Sequence, residues 1–191
     1  KKRSIEPTIL EKSTSRTSEK EAIAKEAASM IDDGDCIYLD AGSTVAEMLP
    51  FLVEQKVVIV TNGLMHIDAL TTANITTYLI GGRMKANTKA VVGSVAQENL
   101  KKYCFDKCFL GMNGIDLELG FTTPDPEEAI LKKTAIELSE EAYILADNSK
   151  FSETFFSKVA DVSEATIITN QLDDDLLIKF RDKTNMKVVT S

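Results

Sequence analysis

Histidine is almost absent from this chain, since His66 is the only one among 191 residues. A single histidine argues against a histidine-based metal centre and a Ser-His-Asp triad, and we interpret His66 as a structural residue. The three cysteines, Cys36, Cys104 and Cys108, are odd in number and have no metal-like grouping. We therefore expect buried free thiols, as in a reducing cytoplasm, and neither a metal ion nor a cofactor.

Long apolar runs and excess positive charge are also lacking. No apolar run is long enough to cross a bilayer, so we expect a cytoplasmic protein with no membrane partner. The net charge of −8 is atypical of a domain that grips duplex DNA by itself. The chain has no dinucleotide-binding G-x-G-x-x-G fingerprint, no Walker A sequence and no G-x-S-x-G nucleophile elbow.

What the chain does contain is an alternation of short apolar segments with helix-forming segments. Strands are predicted at Asp35–Asp40, Val57–Val60, Thr76–Ile80, Lys107–Leu110, Tyr143–Ala146, Thr166–Thr169 and Lys187–Val189. Helices are predicted at Val45–Val53, Leu64–Leu70, Val95–Lys101, Pro126–Glu141 and Asp173–Arg181. This alternation predicts an α/β fold, with a mostly parallel sheet and helices on both faces.

The amino-terminal residues differ in composition from the rest. Residues 1–18 are polar and include a Ser/Thr cluster, and we expect them to form a linker or arm. Ser18 is then predicted to cap a helix that runs from Glu19 to Ile31 and is ended by Gly34. Residues 19–191 are expected to form one domain, and because the chain does not start with Met we expect it to be part of a longer protein.

Small and polar turns follow the first five predicted strands. They are Asp40-Ala41-Gly42-Ser43-Thr44, Thr61-Asn62-Gly63, Gly81-Gly82-Arg83, Gly111-Met112-Asn113-Gly114-Ile115-Asp116 and Asp147-Asn148-Ser149-Lys150. Because ligands of open parallel sheets bind at the carboxyl ends of the strands, these turns are candidates for the lining of one pocket.

The first of these turns is the most informative. It joins a strand to a helix, so free backbone N–H groups and the hydroxyls of Ser43 and Thr44 would converge on one point. The helix dipole adds about half a positive charge there, which favours an anion and above all a phosphate group. A plain helix cap would explain the same two hydroxyl residues, and this alternative stays open.

The other turns also have structural alternatives. Asn62-Gly63 is a common turn pair, and Gly81-Gly82 can serve tight backbone geometry alone. Arg83 and Lys150 are either cations near a bound anion or solvated surface residues. Asp40 either caps the following helix or binds a sugar hydroxyl, and we favour the hydroxyl.

In order and spacing, these segments resemble the C-terminal sensor domain of the DeoR family of bacterial transcriptional repressors. The resemblance rests on Ile23–Ala28, Tyr38–Thr44, Val60–Asn62, Leu79–Gly82, Val92-Gly93, Phe109–Asp116, Gly120–Thr123 and Leu145–Lys150. It implies a homo-oligomeric domain that binds a phosphorylated sugar effector. It also implies that operator DNA is bound by an N-terminal winged helix-turn-helix, which is not part of this sequence.

The resemblance further implies a ribose-5-phosphate isomerase-like fold (the NagB/RpiA/CoA transferase type). In that enzyme two catalytic aspartates occupy positions that align here with Leu110 and Asn113, and its glutamate base aligns with Lys132. A shift of one helical turn would bring Glu128 to that position. Because leucine and asparagine cannot act as carboxylate bases, the sequence favours recognition of a sugar phosphate without its isomerisation.

The functional expectation is therefore an effector-binding and oligomerisation domain of a sugar-operon repressor, and not an enzyme. The run from Lys101 to Lys150 most resembles fructose-operon repressors, so fructose 1-phosphate is the first expected effector and tagatose 6-phosphate the second. The predicted ligand-binding residues are Asp40, Gly42, Ser43, Thr44, Thr61, Asn62, Gly82, Arg83, Asn113, Lys132 and Lys150. The alternatives are a phosphosugar isomerase, with Glu128 or Asp116 as base, and an interaction domain with a vestigial pocket.

Overall fold

The computed structural model describes residues 4–14 and 17–190. Its strands are β1 Cys36–Leu39, β2 Val58–Thr61, β3 Thr76–Leu79, β4 Arg83–Lys85, β5 Ala90–Val92, β6 Phe105–Gly111, β7 Gly114–Asp116, β8 Gly120–Thr123, β9 Ser139–Leu145, β10 Ser157–Ala160, β11 Thr166–Thr169 and β12 Met186–Val188. Its α-helices are α1 Ile9–Thr14, α2 Thr17–Ala28, α3 Ser43–Ala46, α4 Ile67–Thr72, α5 Ser94–Leu100, α6 Pro126–Glu137 and α7 Asp174–Arg181. Short 3₁₀ helices span Leu49–Leu52, Leu64–His66, Asn148–Lys150 and Val162–Glu164.

The centre of the molecule is a sheet of seven strands in the order β12-β11-β9-β6-β1-β2-β3. Every neighbouring pair in this sheet is parallel. The predicted α/β fold with a mostly parallel sheet is thus confirmed. Two small antiparallel sheets, β10-β8-β7 and the hairpin β4-β5, lie outside it.

Both faces of the central sheet are covered by helices. Successive residues of one strand contribute to different hydrophobic clusters, as Tyr143 and Ile144 of β9 do. One cluster also contains residues of α2, α3 and α4, while the other contains residues of α5, α6 and α7. Because side chains alternate between the two faces of a strand, this division means that the sheet is buried from both sides.

Several predicted boundaries were wrong for identifiable reasons. The helix predicted to reach Glu141 ends at Glu137, because Ser139–Leu145 instead forms β9 and pairs with β6. The helix predicted at Val45–Val53 is broken into α3 and a 3₁₀ turn. Pro50 has no N–H to continue the α-helical ladder, which accounts for the break.

The amino-terminal region is more structured than a polar linker would be. Within the predicted arm of residues 1–18, Ile9–Thr14 forms α1, whereas residues 1–3 and 15–16 lie outside the described residues. Among the described residues helix α2 spans Thr17–Ala28, so Ser18 lies inside the helix, and Gly34 lies in the later turn before β1.

The cysteines are free, but the expectation that all of them are buried was wrong. Cys108 is buried in β6, whereas Cys36 and Cys104 are exposed. Cys36 is the first residue of β1 and Cys104 precedes β6, so both lie where the sheet meets solvent. In the described ranges, no helix combines the length and apolar character needed to span a membrane.

Candidate functional site

The turns after β1 and β6, together with α2 and α6, form a small pocket at the carboxyl edge of the central sheet. Its cavity volume is about 40 Å³. The residues lining it are Glu6, Ile9, Lys20, Asp40, Ala41, Gly42, Ser43, Thr44, Thr88, Gly111, Met112, Asn113, Glu128, Lys132, Leu145 and Lys150. Most of the predicted ligand-binding residues are therefore brought together here.

A larger groove of about 760 Å³ lies at the opposite edge of the sheet. It is lined by the first residues of β9, β11 and β12, including Glu140, Glu141 and Thr166. In open parallel sheets ligands bind at the carboxyl ends of the strands, so its position argues against this groove as the functional site despite its size.

Asp40 organises the pocket from the end of β1. Its carboxylate accepts hydrogen bonds from the backbone N–H of Gly42 at 2.6 Å and of Gly111 at 3.1 Å. A Cβ on Gly42 would lie only 3.4 Å from the Cα of Gly111, so glycine permits the close approach of the two turns. The Asp40 carboxylate thereby joins the β1 turn to the β6 turn.

Lys132 reaches the same carboxylate from α6. Its Nζ donates to Oδ2 of Asp40 and, at 2.9 Å, to the carbonyl oxygen of Gly111. The Lys132 side chain is 11% exposed. Burial opposes the charged form, but the nearby carboxylates of Asp40 and Glu128 outweigh it and raise the pKa of Lys132. Lys132 is therefore a buried, charged ammonium in the floor of the pocket.

The predicted phosphate turn faces a second lysine. Ser43 and Thr44 are buried at the first two positions of α3. Lys20 of α2 is also buried, and its Nζ donates to Oγ of Ser43 at 3.0 Å. The first N–H groups of a helix have no carbonyl partner within it. A cation, two hydroxyls and helix N–H groups thus converge at this end of the pocket.

Amide and hydroxyl groups line the remaining wall. Asn113 is buried, and its Oδ1 accepts from the hydroxyl of Thr123 at 2.7 Å. Thr88, in the turn of the β4-β5 hairpin, is buried with its Oγ1 unpartnered among the described residues. Asn62 lines an adjoining cavity beside Asp40, and its buried Oδ1 has no hydrogen-bond partner among the described residues. These atoms offer hydrogen bonds that a polyhydroxylated ligand could use.

Acidic residues gather on the side of the pocket that faces the hairpin. The carboxylates of Glu6, Asp125 and Glu128 lie within 4.8 Å of one another. The Nζ of Lys85 lies at 2.5 Å from Glu6, 2.8 Å from Asp125 and 2.6 Å from Glu128. Because Lys85 already supplies the positive charge that these oxygens require, the cluster is an ion-pair network and not a metal centre.

Glu128 is a poor proton acceptor in this environment. Burial favours its neutral form, but the charge of Lys132 and the hydrogen bond and charge of Lys85 outweigh burial and lower the pKa of Glu128 to about 2. A general base works best when its pKa lies near the working pH.

Two residues behind the turns hold them in place. The buried ring of His66 donates from Nε2 to the carbonyl oxygen of Asp40 at 2.6 Å, since a carbonyl can only accept. Thr61 is fully buried, and its hydroxyl donates to the carbonyl oxygen of Leu39 at 2.6 Å. Both side chains bond to backbone atoms and do not line the pocket. Thr61 is thus separated from most of the other predicted ligand-binding residues, and the interpretation of His66 as a structural residue stays a prediction.

The remaining predicted residues are divided between two places. Lys150, at the end of a 3₁₀ turn after β9, lines the pocket and makes no ion pair within the described residues. Arg83 instead lies on the surface, where its guanidinium bonds to Glu127 at 2.9 Å, in a groove distinct from the pocket. Gly82 precedes it and packs against Val92 and Ala96.

Lys20 and Thr88 line the pocket but were missed at the level of sequence. A signal for Lys20 was present, because Lys20 shares a helix face with the buried residues Ile23, Ala24 and Ala27 at spacings of three, four and seven. A lysine on the buried face of a helix indicates a polar partner. Thr88 lies in a hairpin turn that carries no comparable signal.

Comparison with known proteins agrees with this architecture. The sequence profile of the DeoR C terminal sensor domain matches residues 15–171. The chain is 48% identical over 186 residues to the uncharacterized HTH-type transcriptional regulator FruR of Bacillus subtilis (strain 168), covering 97% of this chain and 74% of that protein. It is 33% identical over 182 residues to the lactose phosphotransferase system repressor of Staphylococcus aureus (strain NCTC 8325 / PS 47), covering 94% of this chain and 72% of that one.

Among solved structures, ribose 5-phosphate isomerase A from Neisseria gonorrhoeae superimposes with a TM-score of 0.52 over 70% of this chain and 53% of the enzyme. The sequence identity is 16%, so the likeness concerns the fold alone. The profile match and the identities to two regulators carry the family assignment. The chain belongs to the DeoR family as its C-terminal sensor domain, which is part of a transcriptional regulator and not an enzyme.

Proposed function

We propose that this chain is the effector-binding domain of a repressor of a sugar-utilisation operon, and that its effector is a phosphorylated sugar. The observation that carries the proposal is the convergence of Lys20, Lys132 and Lys150 on a pocket that also contains the hydroxyls of Ser43 and Thr44. Few ligands other than a phosphate ester match lysines, hydroxyls and helix N–H groups in one corner.

The phosphate would bind at the first turn of α3. A phosphate monoester carries nearly two negative charges at pH 7, and Lys20 lies within hydrogen-bond distance of Ser43. Lys150 also lines the pocket and would add a further positive charge. Lys132 is already paired with Asp40, so its contribution is to keep that carboxylate from repelling the anion.

The sugar would lie between the turn after β6 and the hairpin. Asn113, Asn62 and Thr88 carry the polar atoms that face this space or the cavity beside it. Asp40 would accept a hydroxyl hydrogen bond in our proposal. The ligand roles of Gly82 and Arg83 stay predictions, because these residues lie in or near a different groove.

Isomerisation of the sugar is not part of the proposal. Glu128, with its pKa held at about 2, would remain unprotonated and accept a proton only weakly. The carboxylate of Asp116 accepts from the backbone N–H of Glu118 and Leu119 in a turn and does not line the pocket. Leu110 is fully buried in the core and has no titratable group.

The finer identity of the effector rests on the relatives. The name of the Bacillus regulator and the fructose-repressor resemblance support fructose 1-phosphate as the first candidate. The lactose phosphotransferase system repressor supports tagatose 6-phosphate as the second. We further propose that the protein acts in the cytoplasm as a homo-oligomer, and that operator DNA is bound by an N-terminal winged helix-turn-helix outside this sequence.

Isothermal titration of the chain with fructose 1-phosphate, tagatose 6-phosphate and fructose 6-phosphate tests the proposal, with unphosphorylated fructose as the matched control. We expect one phosphorylated sugar to bind selectively and fructose to bind at least a hundredfold more weakly, because it lacks the charge that the lysines recognise. Equal binding of fructose and its phosphates, or the absence of all binding, would contradict the proposal.

A further inference from the structure

The pocket as it stands is too small for the proposed effector. Its volume is about 40 Å³, whereas pockets for small organic ligands measure roughly 300–1,000 Å³. Something that lines it must therefore move when a sugar phosphate binds. Which lining segment can move is decided by how each one is attached to the rest of the fold.

Most of the lining is fixed to the core. The turns after β1 and β6 follow central strands and are joined by the Asp40 carboxylate. Lys132 and Glu128 belong to α6, whose residues Ala129, Leu131 and Ala135 are part of a hydrophobic cluster. Moving any of these would disrupt the sheet or a buried helix.

Glu6 and Ile9 are different, because they belong to residues 4–11, which precede α2 and join no sheet. We call residues 4–11 the strap. Ile9 is 8% exposed and lines the pocket, and its N–H donates to the carbonyl oxygen of Asn87 in the hairpin turn at 2.9 Å. Reciprocal hydrogen bonds between Thr8 and Glu11 begin α1 and fix the local shape of the strap.

Charge also opposes the presence of the strap beside a bound anion. Glu6 lines the pocket and bonds to Lys85 at 2.5 Å. Lys85 bonds at the same time to Asp125 and Glu128, so it compensates three carboxylates. A dianionic ligand in the pocket would add negative charge next to this group. In the low-dielectric interior such repulsion costs more than in water.

We propose that the strap closes the effector pocket in the ligand-free protein and that a bound sugar phosphate displaces Glu6 and Ile9 from it. This inference rests on the proposed function, because it takes the pocket to be the effector site. The strap lies on the amino-terminal side of the sensor domain, where the proposed DNA-binding part would connect. Release of the strap would thus pass the binding event directly to that connection.

Hydrogen exchange of the complete chain, with and without fructose 1-phosphate, fructose 6-phosphate and tagatose 6-phosphate, tests this inference. Peptides that cover residues 4–11 should exchange faster with the bound sugar phosphate, while peptides that cover residues 40–46 should exchange more slowly. Binding accompanied by unchanged or slower exchange of the strap would overturn the strap proposal and leave the proposed function standing. No binding of any of these sugars, to the parent or to the strap variant below, would overturn both.

Affinity gives a second readout. The double variant Glu6→Gln/Ile9→Ala weakens the strap and leaves every residue of α3, α6 and the sheet unsubstituted, so it should bind the same sugar phosphate at least about fivefold more tightly than the parent. The matched control is Leu10→Ala, because the Leu10 side chain on the same helix is 73% exposed. An affinity of the double variant equal to or weaker than that of the control would overturn the proposal.

Discussion

The carboxylate of Asp40 at the end of β1 is bound by the ammonium of Lys132 on α6, although 92 positions separate the two residues in the chain. Both side chains are nearly withdrawn from solvent. The pair joins the sheet edge to the helix that covers it, and it sets the charge in the floor of the pocket. Each partner is needed to neutralise the other.

The first prediction concerns this pair. Lys132→Met should lower the free energy of unfolding by about 3 kcal/mol, because it leaves the buried Asp40 charge without its partner. Lys133→Met is the control, since Lys133 is exposed on the same helix, and it should have little effect. Urea denaturation of both variants measures the difference.

A double variant tests the reason for this loss. Asp40→Asn combined with Lys132→Met removes both charges and should be more stable than Lys132→Met alone. If the double variant loses the sum of the two single effects, the residues do not interact in the way that the structure describes.

Lys20 allows a prediction about affinity. Lys20→Met should weaken binding of the sugar phosphate by roughly 10- to 100-fold, the amount expected for loss of a hydrogen bond from a charged group. Lys25→Met on the exposed face of α2 should leave the affinity within about twofold. Isothermal titration distinguishes the two variants, and equal losses would mean that only the overall charge matters.

Ser43 tests the position of the phosphate. Ser43→Asp should abolish binding, because the new carboxylate would occupy the place of the phosphate beside Lys20. The fold should be retained, since an acidic residue in the first turn of a helix is favourable. Ser94→Asp makes the same change at the first residue of α5, where the side chain is exposed, and should bind normally. Unchanged affinity of Ser43→Asp would count against the proposed phosphate position.

His66 gives a prediction about pH. Burial lowers the pKa of His66 below its usual value of 6.5, although the hydrogen bond to Asp40 and the Asp40 charge act in the opposite direction. Below about pH 6.5 the unfolded chain therefore binds a proton that the folded chain does not, so stability should decrease as the pH falls through that value.

The variant His66→Gln removes this titration and keeps an N–H donor for the Asp40 carbonyl oxygen. Its unfolding free energy, measured by urea denaturation at pH 7.5 and 5.5, should change less between the two values than that of the parent. An equal loss in both proteins would show that other groups dominate in this range.

Much of the central fold could be predicted because it depends on local pattern. Short β-branched segments such as Val58–Thr61 and Thr166–Thr169 were predicted within one residue, since burial on both faces requires apolar residues at successive positions. The start of β9 at Ser139 was not predicted. The first residues of this strand have helical and acidic character, and only their pairing with β6 makes them part of a strand.

The candidate site was predictable to the extent that it lies in turns at strand ends. The turns that follow β1, β6 and β9 contain Asp40, Ser43, Thr44, Asn113 and Lys150, and parallel strands bring their carboxyl ends to one edge. Arg83 also follows a turn at the end of a strand. It is the first residue of the β4-β5 hairpin, however, and its side chain forms an ion pair with Glu127 outside the pocket.

The sequence alone determined the class of fold, the family and the small polar turns, because local residue patterns and the order and spacing of those patterns along the chain are enough to indicate each of them. The tertiary structure alone decided that Lys20, Thr88, Glu6 and Ile9 close around those turns, and that Lys132 neutralises Asp40. These contacts join segments that are far apart in sequence, so the side chains meet only once the central sheet and its covering helices have assembled.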